Sequence, residues 1–147
     1  MLIRVFYVSS AVGPQTSAVT ESILKTAQAY NSQHDITGVL CQGQGVYLQA
    51  LEGERAEVTR LCARIFADSR HANVEMLHCE SITQRRYENW SMAHVQLSEL
   101  GPMAKIEWPE FDPYSVTGLL VLARIDELVA GGEVIGSSSD TGGRESS

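Results

Sequence analysis

Two amphipathic segments, each set between short apolar runs, constrain the fold of this chain more than any other feature. Residues 2–8, Leu-Ile-Arg-Val-Phe-Tyr-Val, are rich in β-branched and aromatic side chains, the pattern of a strand covered on both faces. Gly13-Pro14 breaks the run, and Thr16 or Ser17 can cap the helix that follows. On that helix Val19, Ile23, Leu24, Ala27 and Asn31 recur at spacings of three and four, so a polar amide ends an apolar stripe. Ile36–Cys41 and Val46–Leu51 flank Gly43-Gln44-Gly45, which has the chemistry of a hairpin turn. A second helix is expected over 54–69, with Val58, Leu61, Cys62 and Ile65 inward. A strand over 74–82 follows, then a charged and aromatic loop (Gln84 to Trp90) and a fifth strand around Val95. This order, β-α-β-β-α-β plus a strand, predicts an α+β, ferredoxin-like fold with two helices on one face of a mixed sheet.

The other sheet face then needs its own cover. An amphipathic stretch from Ser115 to Val129 is assigned to it, after a loop from Pro102 to Pro113. Residues 131–147, rich in Gly and Ser, show no periodic pattern and are expected to be disordered. The chain divides on this reading into a domain over 1–97, a C-terminal helical cap over 98–130 and a tail over 131–147.

Composition excludes several functions. A net charge of −7 opposes nucleic-acid binding, which needs clustered Lys and Arg. No apolar run approaches the roughly 18 residues of a membrane helix, and the N-terminus lacks a charged leader region, so a cytoplasmic protein is expected. Cys41, Cys62 and Cys79 form no CxxC pair and read as buried reduced thiols; the histidines show no HxxxH spacing, so no metal site is expected. No Ser/His/Asp set or carboxylate pair suggests an enzyme.

The polar residues on apolar faces are the candidates for chemistry. Tyr7 shares a strand face with Ile3 and Val5, and Gln49 shares one with Tyr47 and Leu51. Should the first and third strands pair, Tyr7, Gln49 and Asn31 can converge beneath the helices. Each could be satisfied by its neighbours, or all three by one planar heterocycle with carbonyl and ring-nitrogen edges; composition does not name it. Arg64 and Asp68, four apart, read either as a solvated helix pair or as a charge site at a pocket mouth. Trp90 and Met92 precede the last strand and share a face if extended, where packing is the simplest role.

Taken in order, these segments resemble BLUF domains, sensors of blue light using flavin, from Leu2 to about Val95. The resemblance rests on Tyr7-Val8-Ser9-Ser10, on Asn31 followed by Ile36-Thr37-Gly38-Val39-Leu40, and on Gly45 through Gly53 with Gln49 at its centre. Asp68-Ser69-Arg70-His71, Arg85-Arg86-Tyr87 and Trp90-Ser91-Met92 complete it. It implies a blue-light photoreceptor that is not an enzyme and binds FAD non-covalently, with FMN as the other candidate. Tyr7 and Gln49 would be the photoactive pair. Asn31 would hold the ring's polar edge, and Ile23, Leu24 and Ile65 would sandwich the ring. Tyr30, counted among the cofactor-binding residues, stands where His or Asn is common, Ala27 where a hydroxyl often appears, and Ala50 where some members carry a bulkier side chain. Arg64, with Asp68, would serve the phosphate end. Output would run through Trp90, Met92 and Ser9 to a separate, unidentified protein partner, with homo-oligomers expected. The competing expectation is a flavin-free ferredoxin-like regulatory or protein-interaction module.

Overall fold

A computed structural model of the chain describes residues 1–43, 45–88, 90–96 and 134–135. In chain order the elements are β1 (Leu2–Ala11), α1 (Ser17–Gln33), β2 (Thr37–Gly43), β3 (Val46–Glu54), α2 (Arg55–Phe66), β4 (His71–Ser81), β5 (Ala93–Gln96) and β6 (Val134–Ile135). The strands form one sheet in the order β4-β1-β3-β2-β5-β6. β1 runs antiparallel to both of its neighbours, and β5 runs parallel to β2, which makes the sheet mixed.

The expected ferredoxin-like order is therefore present, with one addition. Val134 and Ile135 pair antiparallel with β5, although the 131–147 segment was expected to be without structure. A short edge strand can add to a sheet without an amphipathic pattern, because main-chain hydrogen bonds supply the contact. The rest of that segment, the Pro102–Pro113 loop and the Ser115–Val129 helix lie outside the described residues. Among the described residues no helix is long and apolar enough to cross a membrane.

Local chemistry sets the element ends. The Thr16 hydroxyl accepts from the Val19 amide at 3.2 Å and caps α1. At its far end the Asn31 carbonyl accepts from His34 N and Ile36 N, and Asp35 takes φ 56°, a turn that aims the chain into β2. β1 runs three residues beyond its apolar stretch because Ser10 and Ala11 pair with β4. α2 stops at Phe66, short of the expected Ser69, and its last turn closes through Ala67 N to Arg64 O and Asp68 N to Ile65 O. Asp68 thus stands beyond the helix.

Strand alternation divides the sheet residues between two faces. Ile3, Val5, Leu40, Tyr47 and Leu51 pack with Leu24 of α1 and with Val58, Leu61 and Cys62 of α2, so both helices cover the same face. Phe6, Val8, Val39, Cys41, Leu48 and Ala50 of the other face are also buried. Burial pushes the Cys41 thiol up to about 12 and the Cys62 thiol up to about 11, which keeps both protonated and unreactive. Cys79, expected to be buried, is exposed because β4 is an edge strand.

Candidate functional site: a pocket between the two helices

β1 and β3 lie side by side at the centre of the sheet, and their register sets Tyr7 opposite Gln49, with Leu40 of β2 next in the row. Above this row, between α1 and α2, is a cavity of about 160 Å³. A void large enough for on the order of ten waters is more than a packing defect. Tyr7, Gln49, Asn31, Ile23, Ile65, Tyr30, Arg64 and Asp68 all line it. Leu24 does not; it belongs to the core cluster beside the cavity.

The Tyr7 hydroxyl donates to Gln49 Oε1, a buried side-chain pair. The same glutamine donates through Nε2 to the Met92 sulfur at 3.6 Å. Burial holds the Tyr7 phenol well above its ordinary pKa, and the Asp68 carboxylate pushes the same way. Tyr7 therefore keeps its proton at any physiological pH.

Asn31 is fully buried, and its Nδ2 donates to the Ser91 carbonyl at 2.7 Å. Its Oδ1 is buried with no hydrogen-bond partner. A buried acceptor left unpaired costs about 1–3 kcal/mol, so this atom fits a ligand that brings an N–H into the cavity. One helical turn earlier, Gln28 donates to the Met92 carbonyl at 3.0 Å. α1 thus grips two successive carbonyls just before β5.

The cavity mouth differs from expectation. Asp68 does not pair with Arg64, because α2 ends before residue 68 and the four-residue helical spacing no longer applies. Instead Arg70 binds the Asp68 carboxylate through Nε at 3.1 Å and Nη2 at 2.6 Å, and its main-chain N donates to Oδ1 at 2.9 Å. The side-chain hydrogen bond from Arg70 is the main cause holding the Asp68 carboxyl below its usual range. Arg64 places its guanidinium 4.5 Å from the centre of the Tyr30 ring, which stacks in turn on His34.

The three output candidates fall in different places. Met92 is fully buried at Gln49, while Trp90 is half-buried and stacks on Tyr87 with ring centres 6.1 Å apart. The Ser9 hydroxyl lies 2.8 Å from His71 Nδ1, and His71 Nε2 lies 2.7 Å from the Ile65 carbonyl. A carbonyl only accepts, so Nε2 carries a proton. Ser9 therefore ties β1 to β4 and α2, and it makes no contact of this kind with the 90–92 segment.

Sequence reasoning missed Arg70, His71 and Tyr47 as lining residues, and Gln28 as a clamp. Arg70 and His71 stood within the matched Asp68–His71 segment, and Tyr47 had been placed on the face of Gln49. Gln28 gave no signal, since a glutamine beside an apolar helical stripe is ordinary.

A family model described as sensors of blue-light using FAD matches residues 2–93. The beta subunit of a photoactivated adenylate cyclase from Euglena gracilis is 34% identical over 87 residues, 58% of this chain and 10% of that protein. The match thus spans about a tenth of such a curated relative. Among solved structures, the dark state of BlrB, a BLUF protein, superposes with TM-score 0.74 at 27% identity, covering 88% of this chain and 95% of that one. A bacterial light-regulated adenylyl cyclase superposes with TM-score 0.71 at 30% identity, covering 89% of this chain and 40% of that one. With a matched family model over most of the described fold, and a tyrosine, glutamine and asparagine meeting at one cavity, this chain belongs to the BLUF family of flavin-based blue-light sensors.

Proposed function

We propose that this chain holds FAD between α1 and α2 and reports blue light by rearranging the Tyr7–Gln49–Met92 network. The observation that carries this reading is the phenol–glutamine hydrogen bond beside an asparagine oxygen without a partner, all at one cavity. Asn31 Oδ1 would accept from the ring's imide N–H, and Ile23 and Ile65 would flank the ring. Arg64 and Arg70 would meet phosphate at the mouth. FMN offers the same ring and one phosphate, so the two flavins differ in this reading only at the mouth.

When bound, the flavin would supply blue-light absorption and a transient one-electron acceptor. Tyr7 would be the residue that donates the electron, its hydroxyl proton moving along the bond to Gln49, and Tyr7 would regain both an electron and a proton once the Gln49 amide has rearranged. Gln49 then rotates or tautomerises, which an amide with donor and acceptor on one carbon can do between two networks. Its Nε2 leaves the Met92 sulfur, and the Trp90–Met92 segment carries the change into β5. The signal passes to a separate protein, a reading supported by BlrB, in which the matched unit makes up nearly the whole chain.

Purified protein supplied with FAD or FMN should turn yellow, and blue light should shift its absorption to the red, reversibly in the dark. Protein that stays colourless with excess flavin would overturn the proposal and favour a flavin-free interaction module.

A further inference from the structure

Glu52 lies three residues after Gln49 on β3, which puts it on the opposite sheet face. Its side chain is fully buried, a costly place for a carboxylate unless every lone pair is engaged. Both oxygens are. Oε1 accepts from Thr37 Oγ1 at 3.1 Å and from the Tyr87 amide at 2.9 Å. Oε2 accepts from Arg4 Nε at 2.8 Å and from the Arg86 amide at 2.7 Å.

Two of these four donors are main-chain groups of the loop that leads to Trp90 and Met92. Others tighten the same loop. Arg85 reaches Thr37 Oγ1 at 3.1 Å and the Asp35 carbonyl at 2.8 Å, and Arg4 Nη2 reaches the Gln84 carbonyl just before the loop at 3.4 Å. Buried ion pairs add little net stability over apolar packing of the same volume, and their best-attested use is to fix one geometry. Here the geometry fixed is that of residues 85–87.

β3 therefore holds the 85–92 segment at both ends. Glu52 grips its start through charged and main-chain hydrogen bonds, and Gln49 touches its end through one contact to the Met92 sulfur. We propose that Glu52 is a positioning residue: the fixed anchor against which a rearrangement at Gln49 is directed forward into β5 instead of being absorbed by the loop. The inference rests on the photosensor reading for its light-dependent part, and on the hydrogen bonds alone for the anchor itself.

The test is hydrogen exchange on the full chain with FAD, wild type against Glu52→Gln, in dark and light. The variant keeps one acceptor oxygen and turns the other into an NH₂ that faces donors, so one of the two loop amides loses its acceptor. In the dark, exchange at residues 85–88 should accelerate roughly tenfold or more, selectively over β1 and β3. In the light, Glu52→Gln should keep the flavin red shift, since Tyr7 and Gln49 are on the other face. Its light-minus-dark exchange difference should shrink at 93–96 and appear at 85–88. Uniform acceleration across the sheet in the dark, or an undiminished light difference at 93–96, would overturn the anchor. Should Glu52→Gln fail to fold, Arg85→Met releases the same loop while leaving the Arg4–Glu52 pair, and the same pattern is required of it in smaller degree. Absence of a red shift in wild type would sink the photosensor reading, and the dark exchange arm would still decide the anchor.

Discussion

Replacing Asn31 with Leu separates what this residue does for the fold from what it does for the ligand. Two atoms must be considered. Nδ2 donates to the Ser91 carbonyl at 2.7 Å, a bond whose loss costs about 1–3 kcal/mol because the carbonyl is left without that donor. Oδ1 is buried without a partner, so its removal returns a penalty of the same order, about 1–3 kcal/mol. In protein without flavin the two changes oppose each other, and the melting temperature should move by less than about 8 °C, the shift expected for a net of at most about 2 kcal/mol in a chain of this size. With flavin the balance differs, because Oδ1 would have gained a donor from the ring. Only that gain disappears from the binding energy, about 1–3 kcal/mol, or roughly a five- to hundredfold weaker Kd for FAD. The assay is fluorescence titration of FAD into protein freed of flavin, beside a thermal melt of the same sample. A Kd within about twofold of wild type would refute the assignment of Asn31 Oδ1 to the flavin edge.

Three further outcomes test other parts of the site. Tyr7→Phe should bind flavin with affinity close to wild type and show no red-shifted photoproduct by absorption, because the ring still packs but no hydroxyl proton remains; a normal shift would remove Tyr7 from the mechanism. Gln49→Leu should likewise be yellow and photochemically silent by the same measurement, since no amide is left to switch. Asp68 concerns pH: its folded carboxyl ionises below its ordinary 3.8, chiefly through the hydrogen bond from Arg70. The pair's stabilisation is therefore present above the unfolded value and is lost as pH falls through the folded one. With both side chains about a third exposed, it should be worth no more than about 1 kcal/mol, so urea midpoints of wild type and Asp68→Asn should differ slightly at pH 6 and converge below 3.8.

The sheet and the juxtaposition of Tyr7 and Gln49 were legible because period-two alternation assigns each strand residue to a face before any partner is known. Tyr7 with Ile3 and Val5, and Gln49 with Tyr47 and Leu51, followed from that rule alone, and the register that sets them opposite each other agrees with it. The cavity mouth was not legible for a local reason. Spacing of four between Arg64 and Asp68 implies proximity only on a continuous helix, and the helix ends at Phe66. Nothing in Ala67-Asp68-Ser69 marks that end as strongly as a glycine or proline would. The hydrogen bonds of Glu52 were hidden for a different reason. Two of its donors are backbone amides more than thirty residues away, and no side-chain pattern reports where a main-chain N–H will point.

The relative strength of the contacts around Met92 says which part of the segment can respond to the pocket. The backbone is held three times: Gly38 N donates to the Trp90 carbonyl at 3.0 Å, Asn31 to that of Ser91 at 2.7 Å and Gln28 to that of Met92 at 3.0 Å. The side chain is held toward Gln49 by a single N–H···S contact at 3.6 Å, and sulfur is a weak acceptor. A rearrangement of the Gln49 amide breaks the weakest bond first, so it frees the Met92 thioether before it disturbs any of the three carbonyls. Methionine tolerates such release, having an unbranched, flexible side chain that repacks at little cost. Trp90 is less free to answer, since its ring stacks on Tyr87, whose amide is fixed to Glu52. On the proposed function, the first mechanical event downstream of Gln49 would therefore be a change of Met92 rotamer against the start of β5, with the backbone of 90–92 following only if α1 or β2 moves.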